Sequence, residues 1–179
     1  MTAEETGTTK TNAAETSGGD AGDGAPEGGG GSGAQAPQKT VGAALGEIAW
    51  LLSQSSVHRH SLFLADLEWL VMPPLMQSQY RLFYAEGQPI GAALWAFVSE
   101  TVEQRLAAGG RIAAGEWRGG DRVWLVELIA PYGQQDAMLE DLRGTALADR
   151  RFRFVRTDTR GRRETVTLDG QRLEGGAQS

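Results

Sequence analysis

Apolar and polar positions alternate in several distinct rhythms along this chain, and each rhythm predicts an element. Val41-Gly-Ala-Ala-Leu45-Gly-Glu-Ile48-Ala-Trp50-Leu51-Leu52 repeats at helical spacing, with Thr40 placed to cap it. Ser53 to Ser56 ends that helix, and Val57-His58-Arg59-His60 forms a polar corner. A second helix is expected after Ser61, with Leu64, Leu67, Leu70 and Val71 on its apolar side, until Pro73-Pro74 stops or kinks it. Gln79 to Ala85 and Ile90 to Val98 read as two strands of a hairpin around the turn Glu86-Gly87-Gln88-Pro89. Ser99 caps a helix reaching Leu106, and Gly109-Gly110 closes it.

Val123 to Ala130 is a nearly unbroken apolar run between Gly119-Gly120-Asp121 and Pro131-Tyr132-Gly133, the mark of a strand covered on both faces. A helix is expected over Asp136 to Leu147. Two strands, Arg151 to Thr157 and Glu164 to Leu168, flank a turn at Arg160-Gly161-Arg162. The sum is an α+β domain over 41–170 with a twisted, mainly antiparallel sheet flanked by helices. Residues 171–179 are expected to fray.

One residue interrupts the central run. Glu127 lies mid-strand, and simple alternation puts it on the face of Val123, Leu125 and Ile129. An unmet carboxylate there costs several kcal/mol, roughly, so a partner is expected. Two readings stand: an ion pair with an arginine, or a bond to one of two histidines, His58 and His60. A carboxylate aimed at an imidazole orients a base. His58 sits in a turn between helices, where side chains tend to be accessible. His60 reads as surface.

Composition sharpens this picture. Residues 1–40 contain no Val, Leu, Ile, Phe, Tyr or Trp and hold ten of the 25 glycines, which predicts a disordered tail. The chain has no cysteine, which excludes disulfides and cysteine-based zinc sites. No secretory signal or membrane-spanning run is visible, so a cytoplasmic protein without stable membrane insertion is expected. The formal charge of −6 disfavours non-specific nucleic-acid binding. All fifteen cations after residue 40 are arginines, eight of them within 143–163.

Read in order, Ile48-Ala-Trp50, Ser55-Ser-Val-His58-Arg59, Pro74-Leu-Met-Gln77-Ser-Gln79-Tyr80, Trp95-Ala, Glu116-Trp117-Arg-Gly-Gly120-Asp121-Arg122-Val-Trp124 and Ile129-Ala-Pro131-Tyr-Gly133 resemble the RTX toxin-activating lysine-acyltransferases. The likeness spans roughly residues 43–168. It implies a fold like the acetyl-CoA-dependent (GNAT-like) acetyltransferases. It also implies transfer of a fatty acyl group from acyl-acyl-carrier-protein to internal lysines of an RTX protoxin, in the cytoplasm, with dimers reported in the family.

By the same likeness, His58 and Glu127 are the catalytic pair, with Ser55 and Arg59 in support. Glu127 stands where the family usually has Asp. Leu70 stands in a stretch where some members carry Asn. No cofactor or metal is implied; acyl-acyl-carrier-protein is a substrate. Acyl carrier proteins are strongly acidic, so Arg151, Arg153 and Arg156 in the basic stretch are candidates for docking one. Trp50, Leu51, Trp95, Phe97 and Trp124 are candidates for an acyl groove, against ordinary core packing. Two other readings remain: an acetyl-CoA-dependent N-acetyltransferase, and a catalytically impaired partner that only binds the toxin.

Overall fold

Five strands, β1 (Tyr80–Ala85), β2 (Gln88–Val98), β3 (Arg122–Ile129), β4 (Arg151–Thr157) and β5 (Arg163–Asp169), lie side by side in chain order. The computed structural model describes residues 39–157 and 160–175, which fall in one compact unit. The tail expected over residues 1–40 lies outside them except for its last two residues. Lys39 bonds Glu47 and Tyr84, and the Thr40 side chain caps the first helix at the Ala43 N–H. Order therefore begins before Val41.

The β1–β2, β2–β3 and β4–β5 pairs are antiparallel; β3–β4 is parallel. The α+β class and the mainly antiparallel sheet are as expected. Six helices accompany the sheet among the described residues: α1 (Val41–Gln54), α2 (Leu67–Leu70), α3 (Met72–Met76), α4 (Glu100–Ala107), α5 (Gln135–Gly144) and α6 (Gln171–Gly175).

Several boundaries differ from expectation, for local reasons. Ser61 caps no helix, because its hydroxyl donates to the Val57 carbonyl. The second helix is instead a 3₁₀ turn, Leu64–Asp66, followed by α2 and α3. The break falls at Val71. Pro73 and Pro74 occupy the first turn of α3, where a missing N–H costs nothing. α5 stops at Gly144, and the Thr145 hydroxyl bonds back to the Asp141 carbonyl. Residues 171–175 form α6 rather than a frayed end.

The two sheet faces carry separate cores. Ala92, Leu94, Ala96 and Val98 of β2 pack with Ile48, Leu51 and Leu52 of α1. The alternate residues Ala93 and Trp95 pack with Leu139 and Leu142 of α5 and Phe152 of β4. Period-two alternation on β2 thus defines an α1 face and an α5 face. The segment before β3 is tied down by backbone and side-chain bonds. Gln79 Nε2 donates to the carbonyls of Trp95 and Trp117, at 2.9 and 2.8 Å. A Cβ at Gly120 would lie 2.2 Å from the Val98 carbonyl oxygen, so only glycine fits that crossing. The Glu116-Trp117-Arg-Gly-Gly120 motif therefore has a structural basis.

Candidate active site

α1 ends at Gln54, and Ser55 leaves helical geometry as its C-cap, its N–H bonding Leu51 and Leu52. The chain then turns sharply, with the His58 and Arg59 N–H groups both bonding the Ser55 carbonyl. This turn pulls His58 inward. The residue is 9% exposed, not accessible as a helix-linking turn suggests. Its Nδ1 lies 2.6 Å from Ser55 Oγ, and its Nε2 lies 3.0 Å from Glu127 Oε1.

A carboxylate only accepts, so Nε2 carries the proton. In the neutral ring Nδ1 then accepts, and the Ser55 hydroxyl donates to it. Ser55, His58 and Glu127 form one chain of hydrogen bonds. Of the two readings of Glu127, the structure realises the histidine bond.

The reach of Glu127 depends on an irregularity in β3. Across the β2–β3 ladder Leu94 faces Glu127, and the next residue, Trp95, faces Leu125. Val126 is the extra residue of a β-bulge. Strict alternation would leave Glu127 with Val123 and Leu125, both in the core of the α5 face. The bulge shifts the phase by one residue. Glu127 joins Leu94 and Ile129 on the α1 face, where His58 is. The shared face expected with Val123 and Leu125 is therefore corrected; that with Ile129 stands.

Beside this pair β3 and β4 separate. Their pairing is confined to Val123 with Phe152 and Trp124 with Arg153. Beyond it a cavity of about 780 Å3 opens between the strands. Ser55, His58 and Glu127 line it, together with Leu70, Leu106, Trp124, Leu125, Leu139 and Phe154. Glu127 is the more open member of the pair: its side chain is 28% exposed against 11% for His58.

Other expected residues are elsewhere. Arg59 is exposed, and its Nε donates to Nε2 of an equally exposed His60. Arg59 does not line the cavity. Among the five groove candidates only Trp124 lines it. Trp50 is 45% exposed, Leu51 and Trp95 are core, and Phe97 lies under Arg150. Helical or strand periodicity alone does not distinguish these positions.

The basic stretch is not one surface, since alternate residues of β4 point to opposite faces. Arg151 bonds Asp169, Nε to Oδ1 at 2.6 Å. This contact holds the Asp169 carboxyl below its usual range, the arginine bond being the main cause. Arg153 and Arg122 share Glu103, at 2.9 and 2.7 Å. These groups border a separate polar depression of about 250 Å3. Arg156, by contrast, lies over the Phe154 ring and lines the large cavity.

Sequence reasoning missed Trp69, Arg111 and Arg163 as cavity residues. The Arg111 guanidinium lies 5.1 Å from the Trp69 ring centre, and Trp69 Nε1 donates to Asp66. The Arg111–Trp69 contact joins segments distant in sequence, which no local pattern signals. Among the described residues no group of three His, Cys, Asp or Glu side chains could hold a metal ion. No described helix is long and apolar enough to cross a membrane.

An oriented acid–base pair on the wall of a cavity lined by both apolar and polar side chains is the equipment of a group-transfer enzyme. The family model for RTX toxin acyltransferases matches residues 37–168, and the chain belongs to that family. It is 34% identical over 115 residues to the RTX-I toxin-activating lysine-acyltransferase ApxIC of Actinobacillus pleuropneumoniae, covering 64% of this chain and 66% of the relative. It is 32% identical over 118 residues to the protein-lysine myristoyltransferase HlyC of Escherichia coli, with the same coverages. The protein-lysine myristoyltransferase RtxC of Kingella kingae is 32% identical over 118 residues, 64% of this chain and 68% of the relative. The match thus spans about two thirds of these relatives.

Proposed function

We propose that the protein is a lysine-acyltransferase that moves a fatty acyl group from acyl-acyl-carrier-protein to internal lysine ε-amino groups of an RTX protoxin. The observation that carries this reading is the 3.0 Å contact between His58 Nε2 and Glu127 Oε1 on the wall of a cavity that also presents Leu70, Leu106, Leu139 and Phe154.

Each part of the reaction has a residue suited to it. The lysine must reach the thioester as a free amine, and its nitrogen must lose a proton as the C–N bond forms and the C–S bond breaks. The Ser55 hydroxyl touches both the cavity and His58 Nδ1. It relays that proton to Nδ1, and Glu127 stabilises the imidazolium through Nε2–H. Ser55 and Glu127 therefore act through His58. The apolar lining takes the acyl chain. The backbone edges of β3 and β4, parted beyond Trp124 and Arg153, suit the amides of a pantetheine arm. Such parted parallel strands also support the GNAT-like reading of the fold. Acidic carrier docking draws on exposed arginines, Arg151, Arg153 and Arg156 among them. The setting is the cytoplasm, before the toxin is exported.

Incubating the purified chain with myristoyl-acyl-carrier-protein and an RTX protoxin tests this, with the toxin's mass as readout. A gain of one or two acyl groups on lysine is expected from the wild type, and none from His58→Ala. Transfer from acetyl-CoA alone would favour an N-acetyltransferase instead. Toxin binding without transfer from either donor would favour an impaired partner.

A further inference from the structure

Every permanent cation on the wall of the large cavity is an arginine. Arg111, Arg156 and Arg163 line it together with His58 and Glu127. The same choice runs through the rest of the domain, where all fifteen cations after residue 40 are arginines. The sequence holds two lysines, Lys10 and Lys39, and only Lys39 falls among the described residues. Lys39 does not line the cavity. Its ammonium bonds Glu47 and Tyr84 and lies 4.3 Å from the Tyr84 ring centre. The Glu47 bond, the main cause, raises its pKa and so favours the charged form, which is no nucleophile.

The two kinds of cation differ in what they offer a thioester. A guanidinium keeps its protons throughout the accessible pH range, so it presents no free lone pair. A lysine ammonium gives up a proton to a nearby base and becomes an attacking amine. Contacts hold the arginine head groups at the cavity wall. Arg111 lies 5.1 Å from the Trp69 ring centre, and Arg156 lies 5.9 Å from that of Phe154. A Cβ added at Gly109 would lie 2.2 Å from Arg163 Nη1, so the Arg163 guanidinium rests against backbone two residues from Arg111.

Acyl transfer, the reading on which this inference rests, makes that difference decisive. Ser55, His58 and Glu127 take a proton from an amine, and their hydrogen-bonded chain reads nothing beyond the amine. A lysine fixed on the cavity wall would meet a bound thioester at an effective concentration of about millimolar or above, far over that of a free acceptor. We infer that arginine on this wall spares the enzyme from its own reaction: positions 111 and 163 place positive charge in the cavity without an acyl acceptor, and a lysine at either position is acylated in cis. In that event the lysine nitrogen bonds the acyl carbon and the C–S bond breaks. Of the two protons the ammonium gives up, one joins the departing sulfur to make the thiol, and the other passes through His58 to solvent.

Intact mass of the full chain, incubated with myristoyl-acyl-carrier-protein and no toxin, tests this. The wild type should keep its mass. Arg163→Lys and Arg111→Lys should each gain one myristoyl group, which peptide mapping places on the new lysine rather than on Lys10 or Lys39. Arg105→Lys, on α4 but outside the cavity lining, should be labelled at least about tenfold more slowly. His58→Ala added to Arg163→Lys should remove the label, because the transfer runs through the site.

Transfer to an RTX protoxin, measured in parallel for each protein, separates the two ways of failing. Arg163→Lys and Arg111→Lys proteins that acylate the protoxin yet stay unlabelled would overturn the inference. Equal labelling of Arg105→Lys, or label that survives His58→Ala, would overturn it too. Wild-type protein that acylates no protoxin would instead sink the acyltransferase reading itself.

Discussion

Glu127 lies directly across the β2–β3 ladder from Leu94, and this pairing turns its carboxylate toward His58. One extra residue in β3, Val126, sits beside it. A bulge beside an active site commonly re-aims a side chain. Deleting Val126 makes the ladder regular but leaves Leu125 opposite Trp95 and Glu127 opposite Leu94, so Glu127 should keep the α1 face and its contact with His58. The expected result is acyl transfer kept well above the roughly 100-fold loss of a missing general base. A loss of that size in a folded variant would show that the bulge itself is needed. A circular dichroism spectrum that keeps its sheet signal would show that the fold survived the deletion.

Glu127→Gln keeps the shape but removes the charge that stabilises an imidazolium. A drop in kcat of about 10²- to 10⁴-fold is expected. Glu127→Asp shortens the reach by one methylene and should cost less, on the order of tenfold. Equal losses in the two variants would show that position, not charge, limits the rate.

Ser55→Ala removes the hydroxyl that bonds Nδ1. A stability loss of about 1 kcal/mol is expected for one hydrogen bond. The rate should fall much further, and Ser55→Thr should recover part of it. Stability by urea titration and kcat, measured on the same samples, separate the two effects. A kcat unchanged by Ser55→Ala would remove serine from the proton path.

Glu103 is the buried hinge of the charge network on the α1 face. Its side chain is 8% exposed and meets Arg122 and Arg153, each more than a third exposed. Glu103→Gln should destabilise by about 1–3 kcal/mol, less than for a fully buried pair because solvent screens the arginines. Thermal unfolding measures this.

Asp66 accepts from Trp69 Nε1 and from the Phe63 N–H, and these bonds, the tryptophan's first, hold its carboxyl below the ordinary 3.8. A lowered folded value means that its stabilisation is complete above the unfolded value and lost as pH falls through the folded one. Asp66→Asn should therefore lower thermal stability at pH 7. The gap between variant and wild type should narrow as pH falls below the ordinary carboxyl value and close only below the lowered folded one. A gap constant with pH would show that the charge plays no part.

The lone acid in an apolar run was legible as a site because burial of a carboxylate demands a partner. Which partner it meets was not, since the facing side chain depends on a bulge set by pairing with β2. Thr40 and Ser99 were readable as caps because capping is local: each accepts from a backbone N–H three residues on. The arginines of β4 looked like one strip in sequence, but strand alternation divides them, Arg151 and Arg153 to one face and Arg156 to the other. The cavity was invisible for a related reason. It arises where β3 and β4 part, far apart in the chain, and its lining is gathered from α2, α4, α5 and both strands.

A double-mutant cycle on acyl transfer tests the His58–Glu127 pair most directly. Kinetics of His58→Ala, Glu127→Gln and the combined variant, with identical donor and protoxin, should show that the double change costs no more than His58→Ala alone, as for residues working as one unit. Independent, multiplying losses, or full activity in Glu127→Gln, would contradict the account.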